Sequence, residues 1–326
     1  MDGSHWSEKE LRYHGWDTNM SSVNTKTKIV AVVGPTASGK TALAIELAKR
    51  FNGEIVSCDS MQVYKDMNIG TAKPDEIEMD GIKHHMLDFV DPCSTYTCAD
   101  YVRDAKKCIA EIVSNGKIPI VCGGTGLYLE SLIRGGSFED TDVDLEYRAQ
   151  LDALADEKGN EYIHDMLTQV DPESADSIHY NNRKRVIRAI SIARTSDVTK
   201  SENIANQSHL MIYPEDEVKI FMIDRPRELL YERINKRVDI MVEKGLIQEV
   251  KDLVSKYDLS RTAKAAIGYK EVISYLDNEI SLDDCIELIK KRTRNYAKRQ
   301  LTFFKHQLNC INVSSFKEIK EHLNHE

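Results

Sequence analysis

Residues 28–41 of this 326-residue chain read KIVAVVGPTASGKT, and the rest of the sequence can be placed around them. The apolar run 29–33 predicts a buried parallel strand. The next eight residues, 34–41, fit the pattern G-x-x-x-x-G-K-[ST], and an amphipathic helix follows at once. Strand, glycine-rich turn and helix in this order are the context that the pattern requires. We therefore predict a loop that binds a polyphosphate.

The residue types of this loop suit an anion. Its two glycines let the backbone curl so that N–H groups point inward, and the helix N-terminus adds partial positive charge. Lys40 supplies a mobile cation, and the Thr41 hydroxyl is a candidate ligand for Mg²⁺. The predicted phosphate-binding residues are Gly34, Pro35, Thr36, Ala37, Ser38, Gly39, Lys40 and Thr41.

Composition excludes several classes of protein. An apolar fraction of 41% supports a substantial core, and no run of about eighteen apolar residues predicts a membrane span. Seven cysteines without a C-x-x-C pair argue against a disulfide framework and a zinc site, and favour a reducing, cytoplasmic compartment. Residues 1–27 are polar and lack the apolar segment of a signal peptide, so we predict a disordered extension.

Charge is unevenly distributed along the chain. The formal net charge of −9 argues weakly against a nucleic-acid partner. However, no acidic residue lies between Glu287 and Glu318, while residues 290–305 carry seven lysines and arginines. A second basic run occupies 183–188. Two basic faces on an acidic protein can still bind a polyanion, although most charged helix faces are simply solvated.

The order of the remaining elements predicts a parallel α/β sheet. Residues 54–57 form a second candidate strand that ends just before Asp59. A third, near 119–122, precedes the glycine-rich turn 123–126, which alone signals only a tight connection. A fourth, starting at 218, ends just before Arg225, and a short last strand follows residue 310. Because parallel strands end at one edge, Asp59 and Arg225 should lie beside the phosphate loop, where an arginine can clamp a diphosphate.

The stretch from 138 to 214 differs from its surroundings. Strand-like runs vanish, and three helix-forming segments appear, the last being the basic NNRKRVIRAISIART at 181–195. We predict a helical insertion domain at 138–214 within a P-loop NTPase-like core formed by 28–137 and 215–326. His84 and His85 lie in a predicted loop without further metal ligands at suitable spacing, which favours a structural or substrate-lining role.

Taken together, the motifs resemble those of the bacterial tRNA dimethylallyltransferase (tRNA isopentenyltransferase) family. They are GPTASGKT at 34–41, CDSMQVY at 58–64, GTAKP at 70–74, HH at 84–85, PIVCGGTGLYL at 119–129, NNRKRVIRAI at 181–190, DR at 224–225, RINKRVDIMVEKGLIQEV at 233–250, AIGYKE at 266–271 and TRNYAKRQLTFF at 293–304. The resemblance covers about residues 28–307. Phe303 is a departure, because the family more often has Trp there.

The resemblance implies transfer of a dimethylallyl group from dimethylallyl diphosphate to the N6 amine of adenosine 37 in tRNA. The loop would then hold the diphosphate leaving group with Mg²⁺, helped by Thr41 and Arg225. Asp59 would be the general base, whereas its residue type and position alone fit a Mg²⁺-holding carboxylate equally well. The partner would be the anticodon stem-loop, bound by a monomer. The implied tRNA contacts are Asp59, Ser60, Met61, Gln62, Thr125, Arg148, Lys184, Arg185, Val186, Ile187 and Arg188.

Two features leave alternatives open. The aromatic residues Tyr296, Phe303 and Phe304 lie among the C-terminal cations, where they either stack on bases or belong to the core. The loop itself would equally serve an ATP-dependent small-molecule kinase, a prenyltransferase acting on free adenylate, or a nucleotide-switched RNA-binding protein without catalysis. The two basic runs favour a large polyanionic acceptor over a free nucleotide.

Overall fold

The computed structural model describes residues 29–135, 145–195, 213 and 217–324. The chain divides into two compact units, one formed by Met1–Glu130 with Pro214–Glu326 and the other by Ser131–Tyr213. The smaller unit therefore begins before residue 138, the position that the sequence predicts for the start of the insertion. The predicted extension at 1–27 lies outside the described residues.

The larger unit contains a six-stranded sheet in which all strands run parallel, in the order β3-β2-β4-β1-β5-β6. The strands are β1 (Ile29–Val33), β2 (Gly53–Cys58), β3 (His84–His85), β4 (Ile118–Gly123), β5 (Val218–Ile223) and β6 (Ile311–Val313). All five residues of β1 are buried, as expected for a central parallel strand. The predicted parallel α/β sheet is confirmed.

The sequence predicts a loop at residues 84 and 85, whereas the structure has a strand there. These two residues form the edge strand β3, in which His84 pairs with Ile55 of β2. A contact fixes this edge, because Nε2 of His85 lies 2.6 Å from a carboxylate oxygen of the buried Glu54. The role of this histidine is therefore structural.

Fourteen helices accompany the strands in the described residues. They are α1 (Lys40–Arg50), α2 (Glu76–Met79), α3 (Cys98–Ser114), α4 (Gly126–Arg134), α5 (Leu145–Lys158), α6 (Asn160–Val170), α7 (Pro172–Ser177), α8 (Arg183–Thr195), α9 (Arg227–Glu243), α10 (Leu246–Lys256), α11 (Arg261–Lys264), α12 (Tyr269–Leu276), α13 (Leu282–Gln307) and α14 (Phe316–Asn324). None of these helices is long and apolar enough to cross a membrane. All seven cysteines are free thiols, as predicted.

Several apolar cores hold the described part of the larger unit together. Helix α1 packs its buried face, including Leu43 and Leu47, against the sheet residues Val30 and Ile120. A second core joins α10, α12 and α13 to the segment after β2, where Tyr64 and Met67 are fully buried. Burial of this much apolar side chain anchors the segment that carries Asp59. The smaller unit has a separate core formed by α5 to α8.

Candidate active site

Four strand ends meet at the carboxyl edge of the sheet. Val33 pairs with both Gly123 and Met222, and Cys58 pairs with Gly123, so β1, β2, β4 and β5 end side by side. The phosphate loop, Asp59, the turn 124–126 and Arg225 follow these four ends directly. The edge expected from the sequence is therefore assembled, and its members come from segments that are far apart in the chain.

Two glycines shape the phosphate loop. A Cβ at Gly34 would lie 2.9 Å from the carbonyl oxygen of Ile223, so a larger residue would push the loop away from β5. Gly39 precedes α1 with φ at 96°, a left-handed conformation that favours glycine. Ser38 between them is fully buried. The loop thus has a fixed curvature before any ligand arrives.

Four cationic side chains surround this loop, and each donates to a neutral oxygen of it. Lys40 donates to the carbonyl of Pro35 at 3.4 Å, and Arg225 donates to that of Ser38 at 3.2 Å. Two further arginines, which the sequence analysis did not assign to the site, come from α9. Arg233 donates to the carbonyl of Ala37 at 2.8 Å, and Arg237 donates to the Thr36 hydroxyl at 3.4 Å.

The two arginines of α9 carry a signal that was available in the sequence. Their spacing of four residues places both on one face of a helix. Leu230 and Ile234 lie beside these arginines on the helix, and they pack with Ala297 of α13 and with Ala37 of the phosphate loop. This packing fixes the rotation of α9 and directs Arg233 and Arg237 at the loop.

In the described part of the chain, no ion pair neutralises the four cations at this edge, although the charge of Asp59 acts on Lys40 and Arg237 from a greater distance. Among the described residues, none of the four side chains has a carboxylate within 4.0 Å. Burial lowers the pKa of Lys40, and the nearby charge of Arg237 lowers it further. Burial likewise lowers the pKa of Arg237. Cations that are partly desolvated and lack ion pairs favour the binding of an anion.

Asp59 has one carboxylate oxygen bound and one available. Its Oδ1 accepts the backbone N–H groups of Met61 at 2.9 Å and Gln62 at 3.4 Å, whereas Oδ2 accepts no hydrogen bond from the described residues. Lys40 and Arg237 both interact electrostatically with Asp59. A carboxylate held in one orientation with a free oxygen can accept a proton or hold a metal-bound water.

Thr125 lies close to Asp59 in the fold. The Thr125 hydroxyl accepts the backbone N–H of Ser60 at 3.0 Å, and the Thr125 N–H donates to the carbonyl of Cys58 at 3.1 Å. The second glycine-rich turn therefore closes on the residues that flank Asp59. The predicted site residues Asp59, Ser60 and Thr125 form one cluster.

The amide of Gln62 is engaged within the chain. Its Nε2 donates to the carbonyls of Thr71 and Ala72 at 3.2 and 3.1 Å, and its Oε1 accepts from the Ser57 hydroxyl at 3.3 Å. Gln62 thus fastens the GTAKP segment to the end of β2. Recognition of an adenine by this residue stays a prediction.

Glu249 also binds the start of the GTAKP segment, a contact that the sequence did not predict. The Glu249 carboxylate accepts the backbone N–H groups of Asn68, Ile69 and Gly70, at 2.7 to 3.0 Å. It also accepts the Tyr269 hydroxyl at 2.6 Å. Tyr269 is fully buried and belongs to AIGYKE, which gives that motif a structural task.

Fewer cations of the C-terminal basic run are free to bind a ligand than the sequence suggested. Lys290 pairs with Asp239 and Lys305 pairs with Asp224, at 2.8 and 2.7 Å, and Arg292 pairs with Glu271. Phe304 is fully buried, so the alternative that it stacks on bases is wrong. In the described part of the run, the exposed cations without an ion pair are Lys291, Lys298 and Arg299.

Helix α8 of the smaller unit divides its residues between core and surface. Val186 and Ile187 are buried, with 1% and 6% of their surface exposed, so their side chains belong to the core and tRNA contact by these two residues stays a prediction for their backbone. Lys184, Arg185 and Arg188 are exposed. Arg148 lies near Arg188, and burial together with that charge lowers the pKa of Arg148. These four cations stay candidates for phosphate contact.

Comparison with known proteins agrees with this geometry. A family model described as IPP transferase matches residues 62–307. A protein named tRNA dimethylallyltransferase from Acetivibrio thermocellus is 51% identical over 278 residues, which covers 85% of this chain and 88% of that relative. A protein of the same name from Bacillus mycoides is 46% identical over 283 residues, covering 87% of this chain and 88% of that relative.

Solved structures show the same similarity. The full-length tRNA isopentenylpyrophosphate transferase of Bacillus halodurans superposes with a TM-score of 0.67 at 41% identity, covering 92% of this chain and 95% of that one. A eukaryotic dimethylallyltransferase acting on tRNA gives 0.73 at 31% identity, covering 90% of this chain and 75% of that one. The chain belongs to the IPP transferase family.

Proposed function

We propose that this protein transfers the dimethylallyl group of dimethylallyl diphosphate to the N6 amine of adenosine 37 in tRNA. The observation that carries the proposal is the set of four cations on the phosphate loop, which have no carboxylate partners and lie next to a carboxylate with a free oxygen. A diphosphate needs the first of these features, and an amine nucleophile needs the second. The family and the names of its members support the same reaction.

The loop would act on the leaving group. The bond between C1 of the dimethylallyl group and the diphosphate oxygen breaks as the bond from N6 to C1 forms. Negative charge grows on the diphosphate in this step, so groups that already face it stabilise the transition state more than the ground state. Lys40, Arg225, Arg233 and Arg237 supply this charge, and the N–H groups at the start of α1 add to it.

Asp59 would act on the nucleophile. The N6 amine becomes cationic as it attacks, and a proton must leave for the product to form. Oδ2 of Asp59 is free to take that proton, because the N–H groups of Met61 and Gln62 occupy only Oδ1. The same two hydrogen bonds fix the carboxylate plane. A general base held in this way typically contributes about 100- to 10,000-fold to a rate.

A Mg²⁺ cofactor belongs to the proposal, and an oxygen donor at this edge fits it. No cluster of three His, Cys, Asp or Glu in the described residues would hold a metal through protein ligands alone. Mg²⁺ usually takes one or two protein oxygens and completes its shell with phosphate oxygens and water. The Thr41 hydroxyl is a donor of this type. When bound, Mg²⁺ supplies positive charge to the departing diphosphate.

The acceptor would be the anticodon stem-loop. Its target base must leave the stack before it can reach Asp59. Lys298 and Arg299 on the larger unit, and Lys184, Arg185 and Arg188 on the smaller one, are the exposed cations proposed to contact its phosphates. We expect the active protein to be a monomer.

The test is an incubation with Mg²⁺, dimethylallyl diphosphate and tRNA that carries unmodified adenosine 37. Mass spectrometry of the digested nucleosides should show a dimethylallyl gain on that adenosine, and AMP offered in parallel should stay unmodified. Asp59→Asn should lose turnover and retain tRNA binding. A prenylated AMP would reassign the acceptor, and phosphate release from ATP without prenylation would reassign the loop to a kinase. Full function of Asp59→Asn would favour a non-catalytic RNA-binding protein.

A further inference from the structure

One face of helix α13 contacts the second glycine-rich turn residue by residue. The hydroxyl of Tyr296 lies near the side chain of Thr125. A Cβ added at Gly126 would lie 2.2 Å from the ring of Phe303, and one at Gly124 would lie 2.1 Å from Nε2 of Gln300. Residues 296, 300 and 303 share one helical face because they are four and seven residues apart. The turn is therefore held against this helix along its whole length.

Gln300 at the centre of this face also reaches the phosphate loop. Its Oε1 accepts the backbone N–H of Thr36 at 2.9 Å, and its Nε2 donates to the carbonyl of Gly124 at 2.9 Å. The side chain is 5% exposed, so both bonds form in a site shielded from water. The Thr36 N–H is thereby taken, and it is not available to the diphosphate.

We propose that Gln300 is a positioning residue for the transfer reaction. Its amide links the two glycine-rich turns, one of which carries the loop for the leaving group while the other closes on Asp59 through Thr125. Only a side chain that both donates and accepts can satisfy Thr36 and Gly124 together. The bridge thus sets the distance between the diphosphate and the general base. This inference rests on the proposed function, whereas the hydrogen–deuterium exchange part of its test is independent of that function.

The first variant is Gln300→Leu, which keeps similar volume and removes both hydrogen bonds. We expect kcat for tRNA prenylation to fall roughly 10- to 100-fold, because small displacements of reacting groups have effects of this size. The KM for tRNA should stay within about twofold, since the exposed cations are untouched. Thr302→Ala is the matched control, because Thr302 is exposed on the same helix and its hydroxyl bonds only the carbonyl of Lys298. An unchanged kcat in a folded Gln300→Leu protein would overturn the proposal.

The second variant is Gln300→Glu, which gives a signature that general destabilisation does not. The ionised carboxylate accepts from Thr36 but faces the Gly124 carbonyl without a proton. The protonated acid restores the donor, so the rate of this variant relative to wild type should rise as the pH falls from about 8 to about 5. Burial raises the pKa of a carboxyl group at this position, while Arg237 on the Thr36 hydroxyl lowers it. A relative rate that is flat over this range would count against the bridge.

Hydrogen–deuterium exchange provides the part of the test that needs no activity. The peptide that contains Thr36 should exchange faster in Gln300→Leu than in wild type, because the Thr36 N–H loses its acceptor, and it should be unchanged in Thr302→Ala. Unchanged exchange in Gln300→Leu would overturn the bridge whatever the reaction is. Failure of the wild-type protein to prenylate tRNA, with the exchange result as expected, would instead reject the proposed function and leave the bridge between the turns in place.

Discussion

The cations at the two edges of the parallel sheet have different partners. At the carboxyl edge, Lys40, Arg225, Arg233 and Arg237 donate to neutral oxygens of the phosphate loop. At the amino edge, Lys117 lies 2.7 Å from Glu54, Lys83 lies 3.2 Å from Glu111, and Lys49 pairs with Asp80. The three lysines line an open cleft of about 620 Å³, so shape alone would suggest a binding site there as well.

The two edges differ in the balance of their charges, although both contain lysines. A carboxylate paired with a cation offsets most of the attraction of that cation for an anionic ligand. A neutral carbonyl oxygen offsets little of it. The carboxyl edge is therefore arranged for an anion at some cost in stability, and the amino edge is arranged for stability. Substitutions of matched type at the two edges should have opposite effects, and they provide the sharpest tests of this difference.

The largest effect is expected from Lys40→Met, with Lys117→Met as its counterpart at the amino edge. Loss of Lys40 should lower kcat/KM for prenylation by about 100- to 1,000-fold, because a preorganised charge on the leaving group is removed. Lys117→Met should leave kcat/KM within about twofold. Steady-state assays of both variants under one set of conditions measure the contrast, and equal losses at the two edges would contradict it.

The same pair should change thermal stability in opposite directions. Lys40 is a partly buried cation whose pKa is lowered by burial, so its removal should raise the midpoint of unfolding. Removal of Lys117 leaves the buried Glu54 short of a partner and should lower that midpoint. Calorimetry of the ligand-free proteins provides the measurement. Destabilisation by Lys40→Met would show that its charge is compensated after all.

A smaller loss of activity is expected from the arginines of α9. Arg237→Gln should reduce kcat/KM by roughly 10- to 100-fold, the value of one hydrogen bond to a charged group. Arg233→Gln should have less effect, because Arg233 is exposed and its charge is better screened. Arg103→Gln is the control, because that exposed arginine already pairs with Asp100 and Asp104. A result in which Arg103→Gln matches Arg237→Gln would remove the special status of the carboxyl edge.

The pH dependence of diphosphate affinity should follow Lys40. Because the pKa of Lys40 is lowered, the ligand-free protein loses this charge at a lower pH than an ordinary lysine would. Affinity for pyrophosphate should therefore decline as the pH rises from about 8 towards about 10. In Lys40→Met that decline should flatten. Calorimetric titrations at several pH values compare the two proteins, and parallel curves would exclude Lys40 as the titrating group.

The smallest effect concerns stability in acid at the amino edge. Burial raises the pKa of Glu54, but hydrogen bonds from Lys117 and His85 outweigh it, and the net pKa is lowered. The stability that Glu54 contributes is therefore complete above its unfolded pKa of about 4.5 and is lost as the pH falls through the lower folded value. The difference in unfolding free energy between wild type and Glu54→Gln should shrink between about pH 5 and pH 3. A difference that is constant with pH would reject this assignment.

Local patterns in the sequence were sufficient for the fold. Apolar and β-branched runs predicted five of the six strands near their observed positions, and the loop motif with its flanking elements predicted the carboxyl edge. Residues after parallel strands can be placed without further information, since the strands end together. Asp59, Thr125 and Arg225 were found for this reason.

The contacts that complete the site could not be found in the same way. Gln300 and Thr36 are 264 residues apart, and Glu249 is 179 to 181 residues from the three N–H groups that it accepts. No periodicity or motif chemistry brings such residues together, because the packing of α9, α10 and α13 on the sheet decides it. At Val186 and Ile187 the motif included too much rather than too little. A binding motif on an amphipathic helix also contains positions whose side chains belong to the core.

The central claim is that the cations held by neutral oxygens at the carboxyl edge form the diphosphate site. Its most direct test is a crystal structure of the protein with Mg²⁺ and pyrophosphate. We predict that the diphosphate contacts Lys40, Arg225 and Arg237 and accepts N–H groups from the start of α1. Pyrophosphate bound instead in the amino-edge cleft between Lys49 and Lys117 would contradict the account.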